Sequence, residues 1–206
     1  MAQVLATKNT VTLKGSTTTV TEFFQTALSS ILYQRGVYPP ESFEPRKRYG
    51  LTVMGVKDPK LEEYLETVLR QFKDWLALGT LQQVVLVIAS TETREVQERW
   101  AFDIQTDKDV ISTQVFPEKP EAQITGEIQA IIRQITASIT FLPILTDSCT
   151  IDLLAYTDRE CEVPKEWEES DPRFISNAAD VKLRSFSTKV HSVATLVSYR
   201  ADDELV

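Results

Sequence analysis

The feature that most constrains the fold is an unbroken apolar run of five residues, Val84-Val85-Leu86-Val87-Ile88. A short, β-branched run of this kind is typical of a strand that is buried on both faces of a sheet. The following segment, Val96 to Ile104, alternates, with apolar side chains on one face and Arg99 and Asp103 on the other. This alternation predicts a half-buried strand, which we expect to pair antiparallel with the first.

Three longer segments place apolar residues at the three- and four-residue spacing of an amphipathic helix. They run from Val20 to Leu32, from Leu61 to Leu76 and from Ile124 to Leu142. Gly15-Ser16 offers an N-cap for the first helix, and Asp58-Pro59 places a capping residue before a proline at the start of the second.

The other segments are predicted to be either extended or irregular. Extended backbone is expected at Val11 to Leu13, residues 42–56, Cys149 to Tyr156 and residues 180–200. Residues 105–121 and 157–179 are polar and contain prolines, so we expect loops there. The order of elements predicts an α+β fold in which three helices lie on one face of a small antiparallel sheet.

Length and charge narrow the functional classes. The chain has 206 residues, and its 22 basic and 30 acidic residues give a formal net charge of −8. An acidic protein is poorly suited to non-specific binding of nucleic acid or of an anionic membrane. The two cysteines are too few for a disulfide framework, and the first ten residues lack the apolar core of a signal peptide. These features predict a protein of the cytosol or nucleus.

Motifs for enzyme chemistry are missing from the sequence. The single histidine, His191, excludes sites that need two histidines, and we expect it to be a half-exposed strand residue. Gly50 and Gly55 have the spacing of a phosphate-binding loop, but Val56-Lys57 follows where lysine and serine or threonine are needed. The sequence therefore predicts a protein that is not an enzyme and has no cofactor or metal.

Two segments suggest contacts with partners. On the third helix, Arg133, Ala137 and Thr140 point away from the apolar face, and Phe141 also lies off it, which is typical of an interface. Alternatively, Phe141 folds back under the end of the helix. In the second segment, Ser185 to Ser198, six of fourteen residues are serine or threonine.

The second segment also has poor alternation, because Phe186 falls on the opposite face from Val181 and Leu183. A strand with no cleanly apolar face has a weakly specified register, so this segment could pair in more than one way. The alternative is an ordinary edge hairpin whose serine and threonine side chains face water.

Several motifs carry a resemblance to a known family. The most specific are ILYQRG at 31–36 and RQITA at 133–137, and further matches include Lys73 to Leu76, Thr140 to Pro143 and Trp167 to Ser170. With these motifs the chain resembles the HORMA-domain spindle assembly checkpoint proteins of the mitotic arrest deficient two family. The resemblance implies a single HORMA domain over residues 1–206.

The resemblance also implies a conformational switch. It divides the chain into a mobile N-terminal strand (1–15), a core (16–156) and a C-terminal safety belt (157–206). In the family, the belt leaves one sheet edge, displaces the N-terminal strand and encircles a partner's extended peptide. The corresponding residues here are Val11 and Leu13 in the N-terminal strand, and Trp167, Phe186, Val197 and Tyr199 in the belt.

The partners implied by the resemblance are the coiled-coil kinetochore protein mitotic arrest deficient one, the Cdc-twenty activator of the anaphase-promoting complex, and other subunits of the mitotic checkpoint complex. Sequestering the activator inhibits that complex. The locations implied are nucleus, kinetochore and cytoplasm.

Open and closed copies also pair asymmetrically in the family, through positions that match Arg133, Gln134, Ala137, Thr140, Phe141 and Arg184. The alternative is a HORMA accessory subunit of a translesion polymerase, of the Rev-seven type.

Overall fold

The computed structural model describes residues 11–201. Its helices are α1 (Leu13–Gln34), α2 (Pro59–Leu78), α3 (Lys108–Thr113) and α4 (Glu121–Ala137), with 3₁₀ turns at Pro40–Ser42 and Ser138–Thr140. Its strands are β1 (Phe43–Arg48), β2 (Leu51–Val56), β3 (Leu81–Ser90), β4 (Val96–Thr106), β5 (Cys149–Thr157), β6 (Ala178–Ser187) and β7 (His191–Arg200). The predicted α+β fold is confirmed, with a fourth, short helix added.

Two antiparallel sheets carry the fold. Strands β1 and β2 form a hairpin, and the other five form a sheet in the order β5-β3-β4-β7-β6. Residues 84–88 of β3 are fully buried, which confirms a strand covered on both faces. Val84, Leu86 and Ile88 join the main core with the helices, whereas Val85 and Val87 join a smaller cluster on the opposite face.

Helix α1 is the centre of the main core. Seven of its apolar side chains are fully buried, namely Val20, Phe23, Phe24, Ala27, Leu28, Ile31 and Leu32. The Phe23 ring lies 4.8 Å from that of Phe186 on β6 and 5.9 Å from that of Phe102 on β4. The central helix therefore joins the interior strand β4 to the C-terminal edge of the sheet.

The start of α1 differs from the prediction. Thr12 is the N-cap, because its hydroxyl accepts a hydrogen bond of 3.1 Å from the Gly15 backbone N–H. Leu13 is the first helical residue and Val11 lies outside any regular element, so the short strand predicted from Val11 to Leu13 is wrong. The rest of the expected N-terminal strand, residues 1–10, lies outside the described residues.

Helix α2 follows its sequence signals, and α3 was not expected. Asp58 caps α2 through its carboxylate, and Gly79 ends it with a left-handed backbone (φ 69°). Helix α3 lies inside the predicted 105–121 loop. The Asp107 carboxylate caps α3 by accepting from the Val110 N–H at 3.0 Å, and the Val110 side chain is buried. This cap, the buried side chain and an ion pair of 3.0 Å between Lys108 and Asp158 stabilise this short helix in a polar segment.

The end of α4 and the course of β6 explain two irregular patterns. After Ala137 the chain tightens into a 3₁₀ turn, which rotates Ile139 out of the apolar face and leaves it 49% exposed, contrary to the expected burial.

In β6 the register shifts between Lys182 and Ser185. This bulge turns Leu183 and Phe186 to the same buried side, so the poor alternation reflects a bulge.

His191 is fully buried, so the expectation of a half-exposed residue is wrong. Its Nε2 lies 3.1 Å from the Leu76 carbonyl oxygen, and its Nδ1 lies 2.6 Å from the Ser16 hydroxyl. Since a carbonyl only accepts, Nε2 carries the proton in the neutral ring and Nδ1 accepts from Ser16. The ring thus joins the start of β7 to both long N-terminal helices.

The burial of His191 makes stability depend on pH. Desolvation lowers the pKa of His191 below its ordinary 6.5. The unfolded chain therefore takes up the proton first, and we expect the free energy of unfolding to fall as the pH drops below about 6.5. Urea unfolding between pH 7.5 and 5 should show this loss, and His191→Gln should flatten it. Equal pH slopes for the two proteins would contradict the assignment, because this is the chain's single histidine.

Candidate functional site

The two outer edges of the large sheet have different neighbours. Along β6, Gln134 and Glu127 of α4 cover the outer edge, accepting hydrogen bonds from the backbone N–H groups of Arg184 (2.7 Å) and Ser187 (3.1 Å). Strand β5 pairs with β3 alone, and within residues 11–201 no strand occupies its outer edge. An unpaired edge offers a row of main-chain groups to an incoming chain.

A loop of residues 158–177, which we call the strap, surrounds this free edge. It begins where the Asp158 N–H donates to the Thr80 carbonyl at 2.9 Å. Its first half lies on the helix side of the sheet. There the Trp75 indole N–H donates to the Glu162 carbonyl at 3.3 Å, and the Trp167 ring packs 5.0 Å from that of Trp75.

The second half of the strap returns on the opposite face of the sheet. Arg173 forms an ion pair of 3.3 Å with Asp152 of β5. Arg99 of β4 donates from Nε to the Pro172 carbonyl at 3.2 Å, and its guanidinium lies 4.9 Å over the Phe174 ring. The strap therefore passes from one face of the sheet to the other around the edge of β5.

Between the strap and β5 lies a groove of about 540 Å³. It is lined by Trp75, residues 153–157 of β5, and strap residues 163–165 and 167–171. Tyr64 of α2 also approaches this edge: burial raises the pKa of its hydroxyl, and the nearby Leu153 backbone offsets part of that rise. Main-chain groups, an apolar wall and an enclosing loop suit an extended polypeptide that adds to the sheet.

Among the residues that the structure describes, neither the single histidine nor a metal-binding cluster lies at the groove. His191 is engaged in the core beneath α1 and α2, away from the strap. Across residues 11–201, no group of three or more histidine, cysteine, aspartate or glutamate side chains could hold a metal ion. In the same range, no helix is long and apolar enough to cross a membrane.

Of the predicted belt residues, the structure brings only Trp167 to the groove. Phe186 and Val197 are buried in the main core, and Tyr199 is half-buried on β7 opposite Glu98. These three residues help to hold β6 and β7 in the sheet, away from the groove.

The residues predicted as an interface lie together on and beside α4. We call this surface, formed by Arg133, Gln134, Ala137, Thr140, Phe141 and Arg184, the α4 patch. Arg133, Ala137 and Thr140 are exposed, and Phe141 is 41% exposed, so it does not fold under the helix end. Gln134 reaches the backbone of Arg184, which joins the helix to β6.

Four residues that hold the strap were not identified from sequence: Arg99, Asp152, Arg173 and Phe174. Alternation placed Arg99 on a polar, water-facing side, yet it is only 7% exposed because the strap covers it. Its contact with Phe174 joins residues 75 positions apart, and no local pattern reports such a contact.

Comparison with known proteins identifies a matching family model and similar proteins. A HORMA domain model matches residues 16–191. The chain is 50% identical over 205 residues to the mitotic spindle assembly checkpoint protein MAD2A of Dictyostelium discoideum, covering 99% of this chain and 100% of that protein. It is 48% identical over 200 residues to the Homo sapiens MAD2A protein, covering 97% and 98%.

A solved structure and a more distant relative complete the comparison. The fold superimposes on a chain in the crystal structure of a mitotic checkpoint complex with a TM-score of 0.82 and 39% identity, covering 91% of this chain and 99% of that chain. The DNA polymerase zeta processivity subunit of Schizosaccharomyces pombe is 30% identical over 155 residues, covering 72% of this chain and 71% of that subunit.

The packing of Trp167 predicts how the strap responds to truncation. We expect Trp167→Ala to free its first half, so that trypsin cuts after Lys165 roughly tenfold faster while Arg70 and Lys73 in α2 stay protected. The matched control is Val163→Ala, which removes an exposed strap side chain. Cleavage rates followed by mass spectrometry test this, and equal rates for Trp167→Ala and the parent would contradict the anchoring role.

Proposed function

Because this chain belongs to the HORMA-domain family of mitotic spindle assembly checkpoint proteins, we propose that it captures a partner's peptide as an added strand on β5, beneath the strap. The observation that carries the proposal is the unpaired outer edge of β5 inside a loop that crosses both faces of the sheet. Such a loop retains a bound strand mechanically, in addition to the main-chain hydrogen bonds.

The position of the C-terminal hairpin supports a closed state. Strand β7 pairs with β4 from Glu98↔Tyr199 to Thr106↔His191, which fills the edge that the N-terminal strand of the family occupies when the protein is open. In this proposal, residues 157–206 act as the belt around the core of 16–156. The displaced segment is the part of the predicted N-terminal strand (1–15) that precedes α1, since Leu13 to Gly15 are helical. Conversion to an open state would require β7 to leave β4.

The proposed partners follow from the family. They are the coiled-coil kinetochore protein mitotic arrest deficient one and the Cdc-twenty activator of the anaphase-promoting complex, whose capture would restrain that complex. The protein acts as an adaptor within checkpoint complexes and performs no catalysis. Its proposed places of action are the kinetochore, the nucleus and the cytoplasm.

The exposed patch on α4 is proposed as the second contact surface. Arg133, Phe141 and Arg184 combine charge with an exposed aromatic ring on a surface separate from the groove. Aromatic and arginine side chains supply much of the free energy at protein interfaces. We assign the patch to pairing between an open and a closed copy of this chain.

The similarity to the polymerase zeta subunit gives a second candidate, in which the same groove takes a peptide from a polymerase. A direct comparison separates the two. Labelled peptides from the checkpoint partners and from the polymerase catalytic subunit are titrated against the protein, and the proposed function requires tighter binding of the checkpoint peptides.

Blocking the groove should abolish capture. Ala155 on β5 lines the groove, so Ala155→Arg places a bulky cation where the peptide would lie. We expect at least about a hundredfold weaker binding of a labelled mitotic arrest deficient one peptide by fluorescence anisotropy. The control Ala178→Arg makes the same change at an exposed position on β6 and should bind normally. Equal affinities for the two variants, both folded by circular dichroism, would refute the groove assignment.

Changes on the α4 patch should separate self-association from peptide capture. Arg133→Glu and Phe141→Ala alter exposed side chains, so the core should survive. Reversing a charge at an interface commonly weakens it by a few kcal/mol. We expect sedimentation velocity to show loss of the dimer while peptide affinity is kept. The charge-matched control is Arg70→Glu on α2, and loss of peptide binding by the patch variants would contradict their assignment.

A further inference from the structure

We infer that Arg99 is the latch of the strap: its contacts with Pro172 and Phe174 hold the returning half closed and set the rate at which a captured peptide is released. This inference rests on the proposed peptide capture. It adds a residue that lies outside the groove and acts through the strap.

Arg99 belongs to the rigid part of the molecule. It lies in β4, which is paired on both sides, with Val87 of β3 opposite it on one side and Ser198 of β7 on the other. The Pro172 carbonyl and the Phe174 ring belong to the strap, which has no regular secondary structure. The latch therefore joins a fixed strand to the one segment that must move when the groove opens.

The environment of Arg99 favours the closed strap. Its residue exposure is 7%, yet within residues 11–201 no carboxylate lies within 4 Å of its guanidinium. A buried cation must be compensated by other groups. Its Nε donates to the Pro172 carbonyl, its Nη2 lies 3.4 Å from the Tyr156 hydroxyl, and the Phe174 ring covers one side.

Two of these three partners leave when the strap opens, because only Tyr156 belongs to the sheet. Opening thus breaks one charge-assisted hydrogen bond and one cation–π contact together. The latch also explains the position of Phe174. This ring is 72% exposed, and it gains its contact by lying against the guanidinium.

The latch lies where the enclosure closes. Trp167 holds the strap on the helix side, and Arg99 holds it on the other face, beside the Arg173–Asp152 ion pair. A peptide on the edge of β5 lies between these two attachments. The ion pair is partly exposed and contributes little on its own, so the buried Arg99 contacts are the stronger of the two fastenings on that face.

The experiment measures peptide release. A fluorescein-labelled mitotic arrest deficient one peptide is bound to the full chain and chased with excess unlabelled peptide. We expect Arg99→Gln to speed dissociation about tenfold and Phe174→Leu about threefold, with association rates within about twofold of the parent. Arg70→Gln removes an exposed arginine from α2 and should change neither rate.

A double-mutant cycle tests whether the two residues act together. If Arg99 works through Phe174, the double variant should dissociate more slowly than the product of the two single effects predicts. A merely structural role for Arg99 would give multiplicative effects, which would overturn the latch. If Arg99→Gln unfolds the domain, the Phe174→Leu variant still tests the inference, because Phe174 is exposed. A dissociation rate equal to that of the parent would then refute the latch.

A measurement without peptide separates this inference from the proposed function. Amide hydrogen exchange of residues 168–177 should be faster in Arg99→Gln and Phe174→Leu than in the parent, with β3 unchanged. Failure of the parent to bind any peptide would refute the proposed function, while faster exchange would still support the latch. Parental exchange in both variants would overturn the latch, whatever the peptide result.

Discussion

The pairing of β7 with β4 is the interaction on which the rest of the structure depends. It fills one edge of the central strands over nine residue pairs and brings Val193 and Val197 into the core under α1. Since β6 follows on the outside, the far edge of the sheet comes to lie beside α4, whose side chains satisfy it. The remaining edge, that of β5, has no strand beside it within residues 11–201, and this is the edge at which we propose that a partner's peptide adds. One strand position therefore determines both where the sheet is complete and where it is open.

The length of the strap follows from the same pairing. The chain must travel from the end of β5 to the start of β6, which lies four strand positions away, about 19 Å at ordinary strand spacing, and at the opposite end of the sheet, roughly 30 Å further along the strands. The strap has residues 158–177, and an extended chain of that length reaches roughly 66 Å. The excess lets the strap pass around the edge of β5 instead of crossing directly. The strap is held on one face of the sheet by Trp167 and on the other by Arg99, so its extra length borders the groove.

Sequence patterns predicted the elements whose signals are local. The apolar spacing of α1, the Asp58-Pro59 start of α2 and the apolar run of β3 all fold as expected, because periodicity and capping act within a few residues. The misses depend on distant contacts: His191 is buried only because Ser16 and Leu76 meet it, and Arg99 only because the strap returns over it. Local patterns did not predict the groove, because an unpaired edge depends on the order of the strands in the sheet. The family resemblance was the signal that pointed to it.

Strand β4 and the segment that presents Phe141 are joined through a buried ion pair. Arg35, at the end of α1, donates to the Glu98 carboxylate of β4 at 2.6 Å and to the Pro143 carbonyl, two residues after Phe141. Glu98 also accepts from the Trp100 indole at 2.9 Å. Separating such a pair typically costs about 3–5 kcal/mol, since it leaves an uncompensated charge in the core. The segment that presents Phe141 is therefore fixed to β4, the strand that pairs with β7 and carries Arg99, so the exposed patch and the attachment of the strap share one rigid strand.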